Sequence, residues 1–217
     1  MSKTADWAAQ RRRMVDVQLR RRGIRDARVL AAMIAIPREQ FIPAPGRKAS
    51  YDDEPAGIGH GQSISQPYMV ALMAECLELK GTEVVLEVGA GSGYHAAVLG
   101  ALADRVIAVE VIPELAEQAR QNLDRTGYGR NVEVHCADGS LGWPGCEPYD
   151  AISVAAAAPE VPAALLDQLA DPGRMVIPVG PELDQDLRVI ARSGGKLSTR
   201  VATLCRFVPL RGRQGWK

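Results

Sequence analysis

The sequence lacks an excess of charge of either sign. Its 26 Lys and Arg residues balance 26 Asp and Glu residues, so the formal net charge is zero. Wholesale electrostatic binding to nucleic acid or to an anionic membrane surface is therefore not expected. The sequence also has no apolar run approaching the about 20 residues that span a bilayer, and no apolar stretch of the kind a signal peptide needs. We expect a cytoplasmic protein without a nucleic-acid or membrane partner.

Closely spaced cysteine pairs are absent as well. The four cysteines, Cys76, Cys136, Cys146 and Cys205, form no C-x-x-C pair, and no histidine lies at zinc-ligand spacing from them. No metal site is therefore expected. Cys136 and Cys205 lie in apolar runs typical of strands, where a free thiol usually behaves as a small hydrophobic core residue.

Positive charge is concentrated locally in two arginine runs, Arg11 to Arg13 and Arg20 to Arg22. They could form a patch for nucleic acid or for an acidic partner. Alternatively, they are the solvated face of an amphipathic helix, because Met14, Val15 and Leu19 supply an apolar stripe at helical spacing. The second interpretation is favoured.

The length and composition are those of an ordinary globular protein. Hydrophobic residues make up 47% of the sequence and charged residues 24%, and 217 residues suit one α/β domain. We expect a single domain over 1–217, as a monomer. Residues 1–67 are predicted to form a helical cap with a substrate and cofactor loop, and residues 68–217 an α/β core.

The first part of the chain predicts two helices followed by a long loop. The first helix extends from Trp7 to about Gly23, and glycine is favoured just past a helix end. The second begins near Asp26 as its N-cap and is stopped by Pro37. Residues 41–67 show little periodicity, so they form either a long ordered loop or a disordered one. Loops of that length inside compact domains are usually functional.

From position 68 onward, helical and strand-like segments alternate, which predicts a doubly wound, mostly parallel, Rossmann-like sheet. Several of the strands are apolar nearly throughout, as expected for strands covered by helices on both faces. The segments DLRVIARS and RVATLCRF flank SGGK and predict a C-terminal hairpin. The predicted helices lie at 68–79, 94–102, 113–125 and 161–170, and the predicted parallel strands at 84–88, 105–109, 132–136, 149–154 and 174–179.

A glycine-rich loop follows the first of these strands. Gly89, Gly91 and Gly93 come after VVLEV and open a helix, so backbone can approach a ligand closely there. A nicotinamide-binding fingerprint would need its third glycine at position 94, which is Tyr94. The pattern is instead E-x-G-x-G-x-G, beginning at Glu87, which resembles the first motif of S-adenosylmethionine-dependent methyltransferases.

Two further carboxylates end the next strands. Glu110 ends the second strand, where it can accept hydrogen bonds from both hydroxyls of a ribose. Asp138 follows the third strand and offers a carboxylate to an adenine amino group, beside Gly139, which leaves room for the ring. Carboxylate side chains thus lie at the ends of three successive strands, at Glu87, Glu110 and Asp138. Together they predict S-adenosylmethionine as the cofactor, with S-adenosylhomocysteine as its product.

With these residues in place, the chain resembles the protein-L-isoaspartate (D-aspartate) O-methyltransferase family over nearly its whole length. The resemblance implies a methyltransferase-type sheet with extra N-terminal helices and an altered order of the last strands. The motifs that carry it are MVDVQLRRRGIRDARVLAAMIAIPREQFIP, YDDEPAGIGHGQSISQPYMVALM, LEVGAGSGYHAAVLG, ADGSLGWPGCEPYDAISVAAAAPEVPAALLDQLADPGRMVIPVG and FVPLRG. The Q-S-I-S-Q-P segment and PYDAISVAAAAPEVP are the most specific of these.

The resemblance also implies site residues. It makes Ser65 the catalytic hydroxyl, places Ile58 to Ile64 along the cleft and brings Gln214 near the cofactor. The implied cofactor-binding residues are His60, Gly61, Gly89, Gly91, Ser92, Glu110, Asp138 and Gly139, and the implied substrate-binding residues are Ile64, Pro209 and Leu210.

Two positions depart from the family's pattern. Ala155 occupies a position where the family often has threonine, so one hydroxyl near the substrate region is missing. Ser63 replaces a commoner threonine and keeps the hydroxyl. The missing hydroxyl at Ala155 is expected to affect the rate or the substrate preference but not the reaction class.

The implied activity is repair of damaged proteins and peptides by methylation of the free carboxylate of L-isoaspartyl residues; acceptance of D-aspartyl residues is left open. Such a carboxylate has a pKa of roughly 3 to 4, so it is already a nucleophile at neutral pH and needs no general base. Ser65 would orient it by a hydrogen bond, or would instead cap the helix that begins at Pro67. His60 is assigned to packing beside the cofactor.

Three other functions remain open from the sequence. A methyltransferase of the same class could act on an aspartate of a dedicated peptide or on a small-molecule acid. A non-enzymatic protein could keep the cofactor fold and hold a partner with its basic N-terminal helix. A nicotinamide oxidoreductase is the third, and Tyr94 argues against it.

Overall fold

The computed structural model describes residues 6–216 of the chain. Helix α1 (Trp7–Met14) is capped by Asp6, whose Oδ1 accepts a hydrogen bond from the Ala9 amide at 2.9 Å. The chain continues helically to Gly23, whose φ of 101° ends the helical run as predicted. None of the helices within the described range has the length and apolar character needed to cross a bilayer.

The N-terminal helices pack as an amphipathic cap. Met14, Val15 and Leu19 are almost fully buried, whereas most of the arginines beside them are exposed, so the predicted apolar stripe is confirmed. Helix α2 (Ala27–Ala35) begins at the predicted N-cap, Asp26, whose Oδ1 accepts from the amides of the next turn.

Residues 41–67 are ordered around a small hairpin. Strand β1 (Ala56–Gly59) pairs antiparallel with β2 (Gln62–Ile64), and the tip of this hairpin is His60 and Gly61. Both tip residues have positive φ, 52° for His60 and 70° for Gly61, which allows the tight reversal. Of the two alternatives predicted for this segment, the ordered one is therefore correct.

The main sheet has seven strands in the order β5-β4-β3-β6-β7-β8-β9, of which the last two neighbour pairs are antiparallel and the rest parallel. The predicted parallel sheet and C-terminal hairpin are confirmed. The remaining helices are α3 (Pro67–Cys76), α4 (Tyr94–Gly100), α5 (Pro113–Thr126) and α6 (Ala163–Asp167). The strands are β3 (Val84–Val88), β4 (Arg105–Glu110), β5 (Val132–Cys136), β6 (Tyr149–Val154), β7 (Leu169–Val179), β8 (Gln185–Ser193) and β9 (Lys196–Cys205).

The helix predicted over 161–170 is too long. Helix α6 ends at Asp167, and β7 already begins at Leu169, which pairs with Tyr149 of β6. Leu169 is 3% exposed in the core. Pairing with a neighbouring strand therefore overrides the local helical pattern at the end of this segment.

The sheet separates two hydrophobic clusters, because alternate residues of each strand point to opposite faces. Val85 faces the larger cluster, which includes the N-terminal helices and α3 to α5, whereas Leu86 and Val88 face the smaller cluster beside α6. The expectation of a buried Cys136 is wrong. It is exposed, because it ends the edge strand β5, in which only Val134 is buried. Cys205 is half-buried against the larger cluster.

Candidate active site

Two adjoining clefts open at the carboxyl ends of the parallel strands. The empty volume of the first is about 550 Å³ and that of the second about 350 Å³, with open solvent at their mouths included. They share Ser63, Ala155 and Val208, which we call the junction. The residues that line the first cleft are Gln62, Ser63, Val88, Gly89, Val109, Glu110, Val111, Ile112, Gly139, Ala155, Ala156, Val208, Pro209, Leu210 and Arg211. The residues that line the second cleft are Pro55, Ser63, Ser65, Gln66, Met69, Ala155, Arg206, Phe207 and Val208.

The glycine loop borders the first cleft through Gly89, whereas Gly91 lines neither cleft. The amides of Gly89 and Ala90 both donate to the Val109 carbonyl, at 2.8 and 3.2 Å, which ties the loop to β4. Gly93 caps α4 with a φ of 84°, a left-handed conformation that favours glycine. A side chain at Gly93 would also approach Ala119 of α5 to 3.2 Å, so glycine allows α4 and α5 to pack closely.

Glu110 lies where the first cleft meets the glycine loop. Its Oε2 accepts from the Gly91 amide at 2.9 Å and its Oε1 from the Ile112 amide at 3.0 Å. The residue is only 6% exposed, yet it lines the cleft. Two backbone bonds fix the carboxylate, and each oxygen keeps a lone pair for a ligand. Its predicted contact with a ribose stays a prediction.

Asp138 is engaged by the protein itself. Its Oδ1 accepts from the Ser140 amide at 3.0 Å and hydroxyl at 2.6 Å, and its Oδ2 accepts from the Arg213 amide at 2.8 Å. Partial burial raises the pKa of Asp138, but hydrogen bonds from Ser140 and Arg213 outweigh it and lower the pKa overall. Gly139 lines the cleft instead, and a Cβ there would lie 2.7 Å from Cγ1 of Val88.

Ser65 lines the second cleft and does not cap α3. The N-cap of that helix is Gln66, without a side-chain capping bond, so the capping alternative is wrong. Within residues 6–216 the Ser65 hydroxyl has no hydrogen-bond partner, and it is therefore free to bind a ligand.

Other predicted site residues lie elsewhere. The structure does not bring His60 and Gly61 into either cleft, because they form the exposed tip of the β1–β2 hairpin. The Ile64 side chain is 6% exposed and packs in the larger hydrophobic cluster. Ser92 is buried, and its carbonyl accepts from Asn122.

The glycine loop also contacts the hairpin, since a Cβ on Gly91 would lie 3.2 Å from Cδ1 of Ile58. Pro209 and Leu210, predicted to bind the substrate, line the first cleft rather than the second. Leu210 is fixed there by its amide, which donates to the Ala157 carbonyl at 2.8 Å.

Sequence reasoning missed part of the cleft walls. Backbone amides of the FVPL motif are expected to hold the substrate peptide, but the side chains of Phe207 and Val208 are not predicted to line a cleft, and Arg206 precedes that motif. Val88, Val109 and Ile112 gave no signal beyond that of ordinary strand and loop residues. A wall residue of this kind is identified only when the strands are placed side by side.

A buried polar cluster lies beneath the glycine loop. Glu87 is fully buried, and Oε1 lies 3.5 Å from Nδ1 of His95, with Ser153 beside it on the same face of the sheet. Burial raises the pKa of Glu87 well above its ordinary value, and the charge of Glu110 adds to the increase. Burial lowers the pKa of His95 to about 4. Burial therefore disfavours the charged form of both groups, so the contact is not stabilised as an ion pair.

The sheet, the acidic glycine loop and the Glu110 carboxylate together define a Rossmann-like S-adenosylmethionine-dependent methyltransferase. A family model described as protein-L-isoaspartate(D-aspartate) O-methyltransferase matches residues 9–215. The chain belongs to this family.

Curated relatives support the assignment over nearly the whole length. The chain is 58% identical over 213 residues to protein-L-isoaspartate O-methyltransferase 2 of Marinobacter nauticus, covering 97% of each chain. It is 51% identical over 208 residues to protein-L-isoaspartate O-methyltransferase of Methanoregula boonei, covering 96% of this chain and 95% of the relative.

Solved structures agree. A protein-L-isoaspartate O-methyltransferase structure matches 94% of this chain and 67% of its own, with a TM-score of 0.83 and 29% identity. A protein-L-isoaspartate O-methyltransferase from Plasmodium falciparum, solved in complex with S-adenosyl-L-homocysteine, matches 93% of this chain and 98% of its own, with a TM-score of 0.76 and 28% identity.

Proposed function

We propose that this protein is a repair enzyme that transfers a methyl group from S-adenosylmethionine to the free carboxylate of L-isoaspartyl residues in damaged proteins and peptides. The observation that carries this proposal is the pair of adjoining clefts, one beside the glycine loop and one beside Ser65, which meet at the junction. Membership of the family supports the same activity.

The donor set of the first cleft fits the cofactor. The Glu110 carboxylate has lone pairs left for two hydroxyls, as on a ribose, and Val88, Val109 and Ile112 provide apolar walls for a flat ring. Gly89 and Gly139 bring backbone to the cleft without side chains. When bound, S-adenosylmethionine supplies a methyl group on a positively charged sulfur, which a carboxylate can attack directly.

The second cleft is proposed to hold the acceptor. Ser65 donates a hydrogen bond that orients the acceptor carboxylate toward the junction, where Ser63 provides a second hydroxyl. Met69, Ala155 and Val208 are apolar and exclude water there. Because the acceptor is already ionised at neutral pH, orientation is the main task of these residues, and good orientation supplies several kcal/mol of the barrier.

The last residues of the chain are proposed to hold the adenine end of the first cleft. The Arg213 amide leaves one lone pair on Oδ2 of Asp138 for an adenine amino group. The side-chain oxygen of Gln214 accepts from the Ala164 amide at 3.1 Å, and its main-chain amide donates to the Ser140 hydroxyl at 3.0 Å. Gln214 is thereby positioned beside the loop that carries Gly139.

The hairpin is proposed to cover the methionine end. Ile58 of β1 rests against Gly91, and Ser63 of β2 lies in the junction, so a small movement of the hairpin would bring His60 and Gly61 over the cofactor. Hydrogen exchange of residues 50–66 with and without S-adenosylhomocysteine tests this movement. Equal protection in both states would argue against it.

The activity is tested with labelled S-adenosylmethionine and two peptides of identical sequence, one with isoaspartate and one with aspartate. We expect label on the isoaspartyl peptide alone. Label on neither peptide, with cofactor binding confirmed, would refute the proposed acceptor and leave a same-class methyltransferase with another carboxylate substrate or a non-enzymatic binding protein.

A further inference from the structure

The second cleft contains a single formal charge among the described residues. Of its nine lining residues, Arg206 is charged and the others are hydroxyl, amide or apolar side chains. Arg206 follows β9 and directly precedes the FVPL motif. Arg206 therefore belongs to the wall of the cleft that the proposed acceptor enters.

The guanidinium is held in place without being neutralised. Its Nε donates to the Leu183 carbonyl at 3.1 Å, which leaves both terminal nitrogens directed elsewhere. Among residues 6–216 no carboxylate lies within ion-pair distance of Arg206. By contrast, Arg105 pairs with Glu133, Arg174 with Glu78 and Arg188 with Asp186. An anchored arginine with two free N–H-bearing nitrogens is suited to bidentate binding of a carboxylate.

The carboxylate that Arg206 would bind is not the one that is methylated. Methyl transfer takes place where the clefts meet, and Arg206 lines the second cleft but not the first. Methylation also removes the charge of the acceptor. A guanidinium paired with the acceptor would stabilise the ground state more than the transition state, which would slow the reaction. The position of Arg206 and the loss of charge on methylation both indicate that Arg206 binds a second carboxylate of the substrate, not the acceptor.

We propose that Arg206 is a specificity-determining residue that binds the acidic side chain of an aspartate or glutamate neighbouring the isoaspartyl residue. This inference rests on the proposed function. It makes acidic segments the preferred substrates of this enzyme. Because Arg206 is exposed, the contact resembles a well-oriented surface ion pair, for which a preference of about 2- to 5-fold is expected.

The test uses three isoaspartyl peptides that differ at one position beside the isoaspartate, which is Glu, Gln or Lys, prepared for each of the two sides. For the wild-type enzyme, we expect kcat/KM to be about 2- to 5-fold higher for Glu than for Gln on one side, mainly through KM, and lowest for Lys. The preference should weaken in high salt. Arg206→Gln should abolish the preference by lowering kcat/KM for the Glu peptide to the level of the Gln peptide, and Arg206→Glu should reverse it in favour of Lys.

Arg130→Gln is the matched control, because Arg130 is also exposed but precedes β5 at the opposite end of the strands. It should keep the wild-type preference. Equal kcat/KM for all three peptides with the wild-type enzyme would overturn the proposal for Arg206 alone. An equal loss on all three peptides in Arg206→Gln would also overturn it, because Arg206 would then act on the acceptor or on the fold. Failure of the wild-type enzyme to methylate any isoaspartyl peptide would overturn the proposed function as well.

Discussion

The carboxyl group of Glu87 is fully buried, and burial makes its ionised form unfavourable. It is 0% exposed, and neither carboxylate oxygen has a hydrogen-bond partner among residues 6–216. His95 lies 3.5 Å away, but burial lowers the pKa of His95 to about 4, so it offers no positive charge near neutral pH. Glu87 should therefore be protonated in the folded protein, since burial raises its pKa well above 4.5.

This protonation makes folding dependent on pH in a known direction. Above about pH 4.5 the unfolded chain releases the Glu87 proton, whereas the folded chain keeps it. The contribution of Glu87 is therefore fully present below that pH and is lost as the pH rises toward its folded-state pKa. The loss amounts to about 1.4 kcal/mol for each pH unit.

Glu87→Gln removes the titrating group and keeps its shape. The variant should gain stability relative to the wild type as the pH rises, by up to about 3 kcal/mol between pH 5 and pH 7. The assay is urea unfolding of both proteins at several pH values without cofactor, compared at constant ionic strength. Other titrating groups cancel in the difference between the two proteins.

Glu160→Gln is the matched control for the loss of one carboxyl group, because Glu160 is exposed. A flat difference for Glu87→Gln over the same range would refute the reasoning, since Glu87 would then be ionised in the folded protein. A difference that falls with increasing pH would mean that the carboxylate is stabilised by a charge or by hydrogen bonds absent from this structure.

Three further substitutions test the clefts. Ser65→Ala should lower kcat by about 10- to 100-fold, the value of one hydrogen bond to a charged group, with an unchanged Tm; a normal kcat would contradict its catalytic role. Gly139→Ala places a Cβ 2.7 Å from Cγ1 of Val88, so we expect a loss of about 1–3 kcal/mol in stability and weaker cofactor binding by calorimetry. Gly212→Ala places a Cβ 2.0 Å from Oδ1 of Asp138 at a φ of 147°, so it should displace the C-terminal segment and raise the Kd for S-adenosylhomocysteine. An unchanged Kd would show that Asp138 and its contact with Arg213 do not support the adenine end.

The features predicted correctly from the sequence are those encoded locally. The caps at Asp26 and Gly23 and the strand VVLEV depend on residues that are neighbours in the chain, so the pattern alone indicates them. The end of α6 could not be predicted in this way, because Leu169 pairs with Tyr149 of the neighbouring strand, which is distant in the chain. The exposure of Cys136 depends on the strand order, which leaves β5 at the edge.

The same distinction applies to the site. Glu110 can be predicted as a site residue from the strand that it ends and from the glycine motif before that strand, and the structure places it in the first cleft. The partner of Asp138 is Arg213, 75 positions further along the chain, and no local pattern connects the two. His60 and Gly61 belong to the same motif as Ser65, but they form the exposed hairpin tip and line neither cleft, so their predicted contact with the cofactor stays a prediction.

The junction consists of residues from three distant parts of the chain, so the proposed acceptor cleft depends on the tertiary structure. Ser63 comes from the hairpin before the sheet, Ala155 from the end of β6, and Val208 from the segment after the last strand. The Ala157 amide donates to the Val208 carbonyl at 2.8 Å, and the Ala157 carbonyl accepts from the indole of Trp216 at 3.0 Å, which fixes the C-terminal segment against β6. Because this segment also holds Asp138 through Arg213, the last residues of the chain contact the walls of both clefts. In the proposed reaction, the geometry of methyl transfer is therefore set by contacts between distant parts of the chain, while the motifs supply the groups that are brought together.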